Sequence, residues 1–162
     1  MTHADLPGKE QARPASRVQE EVKGIDVLLV EDDPGDVLMT REAFEERHIP
    51  DRLHVVGDGV LAMQFLRRTD EFTCAPRPGL ILLDLNLPRR NGLEVLAELK
   101  ADGDLGSIPV VVLTSSQSEQ DIVRSYSLHA NAFVSKPLEF EKFLDAVREI
   151  DSFFLTLAKL PN

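Results

Sequence analysis

The stretch LILLDLNLP, residues 80–88, decides how the chain is read. Four consecutive apolar residues, Leu80 to Leu83, run straight into a carboxylate, Asp84, and Asn86 and Pro88 follow at once. A strand wetted on one side alternates polar and apolar residues, whereas a strand covered on both faces is apolar throughout. The run is of the second kind, so Asp84 stands where a buried strand ends. A carboxylate there needs partners from elsewhere in the chain.

Working outward, the same kind of run recurs as IDVLLV (25–30), LHVV (53–56), VVVL (110–113) and AFV (132–134), which gives five strands. Helical patterns lie between them. Asp33-Pro34 reads as an N-cap followed by Pro at the first helical position, opening a helix to about Glu46 with Val37, Arg41 and Phe44 on one side. Leu61, Phe65 and Leu66 serve a shorter helix, and Leu93, Val95, Leu96 and Leu99 another. Ser118-x-x-Asp121 resembles a capping box ahead of Ile122 and Tyr126. Strand and helix alternate five times, which predicts a doubly wound, five-stranded parallel sheet with helices on both faces. In such folds the functional crevice lies beyond the carboxyl ends of the strands.

The 162 residues fit one domain with short tails. Residues 1–23 carry Pro7, Gly8, Pro14 and mixed charge without apolar periodicity and are expected to be a flexible tail; 24–150 form the domain and 151–162 an extension. A net charge of -10 without a Lys/Arg stripe argues against nucleic-acid binding. Cys74 alone cannot form an intrachain disulfide, and there is no apolar run of ~18 residues, so no membrane contact and a cytoplasmic location are expected.

The strand ends gather a distinctive set of groups. Glu31, Asp32 and Asp33 follow the first strand, Asp84 and Asn86 the third, Thr114, Ser115 and Ser116 the fourth, and Lys136-Pro137 the fifth. Converging carboxylates repel one another and must share a proton or hold a cation. Oxygen ligands without His or Cys favour Mg²⁺, which takes one or two carboxylates and keeps waters and a phosphate oxygen. Asp84 is suited to attack phosphorus, Lys136 and Thr114 to hold the transferred oxygens, and the Asn86 backbone carbonyl to complete the metal shell. Asp33 alone reads as a helix cap, Ser115 and Ser116 as loop polar groups, and His3, His48 and His54 show no metal-ligand spacing.

LLVEDDP, LILLDLNLP, VVVLTSS and FVSKP, in this order, resemble the receiver domain of two-component response regulators, a flavodoxin-like fold, over about residues 25–148. The resemblance implies that Asp84 accepts phosphate from a phosphohistidine on a sensor histidine kinase. It further implies that Glu31 and Asp32 form an acidic pocket, with Asp32 a direct Mg²⁺ ligand and Glu31 acting through water. Thr114 would be the switch hydroxyl, and Lys136 the phosphate contact, usually before a cis Lys-Pro bond. Phe133 stands where many receivers carry a switch aromatic, often Tyr. The segments YSLHANAFVSKP (126–137) and FFLTLAKLP (153–161) are similar to those of stand-alone regulators paired with phytochrome-type kinases. His129 occupies a slot that is Gly in most receivers, and His is among the residues that tolerate the left-handed backbone such a Gly implies.

Such a chain is a signalling phosphoacceptor rather than an enzyme, limited to self-phosphorylation from small donors and self-dephosphorylation. An aspartyl-nucleophile phosphohydrolase is the alternative, but it needs an acid/base at Asn86, which cannot shuttle a proton. A non-phosphorylated dimeric scaffold gives no reason for the Lys, the hydroxyl and the carboxylates to meet. From Phe140 the helical period continues through Val147 to Phe154 and Leu157, with Phe153 and Leu160 widening the stripe. Twenty residues from Glu139 to Ala158 would span about 30 Å as one helix, so the stripe is expected to overhang the domain and pair two copies as a homodimer.

Overall fold

The computed structural model describes residue 19 and residues 24–47, 52–115, 117–125 and 130–148. Five strands, β1 (Val27–Val30), β2 (Leu53–Val56), β3 (Leu80–Asp84), β4 (Val110–Thr114) and β5 (Ala132–Ser135), form one parallel sheet in the order β2-β1-β3-β4-β5. The helices are α1 (Pro34–Glu45), α2 (Gly59–Arg67), α3 (Gly92–Ala101), α4 (Gln117–Ser125) and α5 (Phe140–Arg148). The expected fold is therefore observed. All residues of β1, β3 and β4 are buried, as an apolar run between two helical layers requires.

Successive side chains of each strand go to opposite faces, and two cores result. Val27, Leu29, Leu82, Val111 and Leu113 pack with Phe44 of α1 and Phe143, Leu144 and Val147 of α5. Leu28, Val30, Ile81, Leu83 and Val112 pack with Phe65 of α2, Leu96 and Leu99 of α3, and Val123 of α4. The Phe44 ring meets Phe140 edge-on at 5.4 Å and Phe143 at 5.5 Å, so α1 and α5 lock together on their shared face.

Caps fix where the helices begin. Asp33 accepts a hydrogen bond from the Gly35 N–H with Pro34 opening α1, as expected. Asp58 caps α2 through the Leu61 N–H at 2.8 Å. Asn91 and Glu94 form a reciprocal capping box on α3 that the sequence carries as Asn-x-x-Glu.

Several expectations are corrected. Arg41 is exposed and Thr40 is buried beside Phe44, because the face of α1 that meets the sheet runs through Val37, Thr40 and Phe44. Ser118 is no cap: α4 already starts at Gln117, and its core contact is Val123 while Ile122 is exposed. Phe140 and Val147, expected at an interface between copies, are 7% and 0% exposed within their own domain's core and offer a partner nothing to cover. The helical stripe has only one apolar side there, and the sheet takes it. Phe153, Phe154, Leu157 and Leu160, like Tyr126, His129 and the tail expected at 1–23 apart from residue 19, lie outside the described residues.

Candidate functional site

Strand register brings the site residues together. Val30 pairs with Leu83, so Glu31 and Asp84 leave the sheet side by side. Asp84 pairs with Leu113 and Thr114 with Ser135, which places the hydroxyl and then Lys136 along the same edge. The Lys136 N–H donates to the Thr114 carbonyl at 2.9 Å, extending the ladder one residue past β5. The Lys136-Pro137 bond is cis. Behind Asp84 the chain must pass very close to itself. A Cβ on Gly92 would lie 2.4 Å from the Asp84 carbonyl oxygen, so only Gly lets α3 start directly beneath the carboxylate.

Asp84, Glu31 and Thr114 are each at most 2% exposed. The Lys136 ammonium sits among three carboxylates, 3.0 Å from Asp84 Oδ2, 3.0 Å from Glu31 Oε1 and 3.1 Å from Asp36 Oδ2. The contact to Asp84 is an aligned hydrogen bond, whereas Glu31 Oε1 lies close to the ammonium but off the donor line. Burial by itself would lower the lysine's pKa. The hydrogen bond to Asp84 and the close carboxylates of Glu31 and Asp36 outweigh it, and the ammonium is held above its ordinary value. Glu31 is also raised, to about 7, chiefly because burial penalises its charge and secondly because Asp84 is beside it. One lysine therefore does not neutralise this cluster.

Carboxylate oxygens of Glu31, Asp32 and Asp84 all lie within 4.8 Å of one another, with Asp32 facing solvent. The donor set is hard oxygen throughout, which fits a Mg²⁺-like cation. The Thr114 hydroxyl is buried without a hydrogen-bond partner. A buried hydroxyl left in this way is costly and marks a place where an incoming oxygen would be received. Asn86 donates its backbone N–H to Asp84 Oδ1 at 3.2 Å. Phe133 is half-buried on β5 with the Arg124 guanidinium 4.9 Å above its ring.

Two residues of this site escaped sequence reasoning. Asp36 reaches Lys136 from the first turn of α1, one turn beyond the acidic run that was read. Glu119 accepts from the Asn86 side-chain amide at 2.8 Å and from the Ser115 N–H at 2.6 Å. The only signal for Glu119 was its place three residues past Ser116, the usual reach of a helix-start carboxylate. His54, read as unrelated to metal, hydrogen-bonds Asp26 at 2.9 Å away from the crevice.

A five-stranded doubly wound sheet with a buried aspartate, an acidic cluster, a hydroxyl and a lysine at its carboxyl edge defines a phosphoryl-receiving signalling domain. Residues 27–148 match the model for the response regulator receiver domain, and the chain belongs to that family. Its function is that of a response regulator in a phosphorelay. The chain is 44% identical over 135 residues to the response regulator Rcp1 of Synechocystis sp., covering 83% of this chain and 92% of Rcp1. The bacteriophytochrome response regulator RtBRR superposes with a TM-score of 0.73 at 45% identity, over 78% of each chain. The Mn²⁺-bound form of Rcp1 superposes at 0.66 with 43% identity, over 85% of this chain and 99% of that one. Among the described residues no helix is long and apolar enough to cross a membrane.

Proposed function

We propose that Asp84 is the phosphoacceptor for a sensor histidine kinase of the phytochrome type, in a Mg²⁺-dependent transfer. The observation that carries this reading is the buried Asp84 carboxylate, hydrogen-bonded to Lys136 at 3.0 Å, with the buried Thr114 hydroxyl nearby still lacking a partner. The kinase assignment is supported by the similarity to bacteriophytochrome regulators and to Rcp1.

In the transfer, an Asp84 oxygen attacks phosphorus, the P–N bond to the donor imidazole breaks, and the imidazole leaves with the bonding pair and takes up a proton. Lys136 turns its ammonium from Asp84 to a phosphoryl oxygen, and Thr114 donates its hydroxyl to another. Asp36 and Glu31 keep the ammonium anchored while it turns. Asp32, Asp84 and the Asn86 carbonyl would hold Mg²⁺ directly, and Glu31 through water. The cation supplies neutralisation of the charge that builds on the transferred oxygens. Hydrolysis reverses the modification when water attacks phosphorus, which releases inorganic phosphate and restores the carboxylate. The same attack on phosphorus allows small acyl phosphates to serve as donors. The protein works as a homodimer held by residues 151–162.

Intact mass after exposure to acetyl phosphate tests the reading. One phosphoryl group should add to the wild type with Mg²⁺ present, and none without Mg²⁺ or in Asp84→Asn. An adduct of equal yield in Asp84→Asn would overturn the assignment.

A further inference from the structure

The peptide unit that joins Thr114 to Ser115 is held at both ends. Its carbonyl accepts from the Lys136 N–H at 2.9 Å, and its N–H donates to Glu119 Oε1 at 2.6 Å. The second oxygen of the same carboxylate, Oε2, accepts from the Asn86 side-chain amide at 2.8 Å. Asn86 in turn donates its backbone N–H to Asp84 Oδ1. One carboxylate thus ties the loop that hydrogen-bonds the phosphoacceptor to the peptide beside the unpartnered hydroxyl. Hydrogen bonds to an ionised acceptor are the strong kind, and two of them to one carboxylate fix the relative position of both loops.

We propose that Glu119 is a positioning residue that clamps these two loops in the unphosphorylated protein and releases them when Asp84 is modified. The proposal rests on Asp84 being the phosphoacceptor. A phosphoryl group on Asp84 competes with the Asn86 N–H for the Asp84 oxygen and adds negative charge on the residue that Asn86 links to Glu119. Both changes oppose the clamp. Release frees the Thr114-Ser115 peptide to turn the hydroxyl onto a phosphoryl oxygen, and it loosens the first turn of α4, on which Glu119 sits. The clamp therefore resists phosphorylation, and its loss transmits the event to the surface of α4.

Glu119→Ala removes the tether and the charge. Glu119→Gln keeps an acceptor for the Ser115 N–H, removes the charge, and replaces the oxygen that accepts from the Asn86 amide with an NH2 donor. Two readouts on the full chain separate the cases: hydrogen exchange of the Ser115 amide without donor, and the rate of Asp84 phosphorylation by acetyl phosphate with Mg²⁺. In that reaction the bond from phosphorus to acetate breaks as the bond to Asp84 forms. Ser115 exchange should accelerate about tenfold in Glu119→Ala and little in Glu119→Gln. The phosphorylation rate should rise about three- to tenfold in Glu119→Ala, with Glu119→Gln between it and wild type. Unchanged Ser115 exchange, or faster exchange with phosphorylation rates within twofold of one another, overturns the clamp. No adduct on wild type overturns the phosphoacceptor reading itself, a distinct result.

Discussion

Glu31 is the residue whose surroundings make the sharpest demand. Its carboxyl rises from about 4.5 to about 7 in the fold because burial disfavours the anion and Asp84 stands beside it. A raised folded-state value means that the native protein binds a proton which the unfolded chain has already lost. The stabilisation from that proton is complete below about pH 4.5 and disappears as pH climbs through about 7. In metal-free protein, urea unfolding of wild type should therefore lose on the order of 2–3 kcal/mol relative to Glu31→Gln between pH 4.5 and 7.5. Parallel curves for the two proteins would refute the raised value. Glu31, Asp32, Asp84, Thr114 and Lys136 were legible in the sequence because each follows an apolar run by a fixed offset, and a parallel sheet lines up such offsets. Asp36 and Glu119 were not, since both belong to first turns of helices whose direction over the crevice is a tertiary fact.

At the scale of elements, the turn from β3 into α3 carries the site and tolerates little change. A Cβ at residue 92 would meet backbone on two sides, 2.4 Å from the Asp84 carbonyl oxygen and 2.6 Å from the Leu85 Cα. Neither atom belongs to a flexible side chain that could swing away. Gly92→Ala should cost about 1–3 kcal/mol of stability, an overpacking penalty, and should also slow phosphorylation because the strain falls on the Asp84 peptide. Denaturant unfolding and the acetyl phosphate reaction check the two halves separately, and a variant matching wild type in both would show that the turn gives way easily. The sequence announced the strands well and the helix faces less well. Period alone placed Arg41 on the inner face of α1, but a helix of this length offers two overlapping stripes, and the phenylalanine contacts with α5 select the one through Thr40. The Asn91-x-x-Glu94 box was readable in principle and would have fixed the start of α3.

At the scale of the whole molecule, the two cores close within residues 25–147. Phe140, Phe143, Leu144 and Val147 spend the apolar face of α5 on the domain itself, which is why a helical period in the sequence could not tell an internal face from an interface. The proposed homodimer is assigned to residues 151–162, and on that proposal its loss should leave the fold standing. Removing residues 151–162 should keep the thermal midpoint, measured at low concentration, within a few degrees of wild type, because about 1 kcal/mol moves a domain of this size by only a few degrees. Light scattering at tens of micromolar should meanwhile fall from the mass of two chains to that of one. A full-length protein already monomeric at that concentration would sink the dimer. A truncated chain that no longer folds would instead assign the segment to the core. Either result would relocate the apolar residues Phe153, Phe154, Leu157 and Leu160 to a role within one chain.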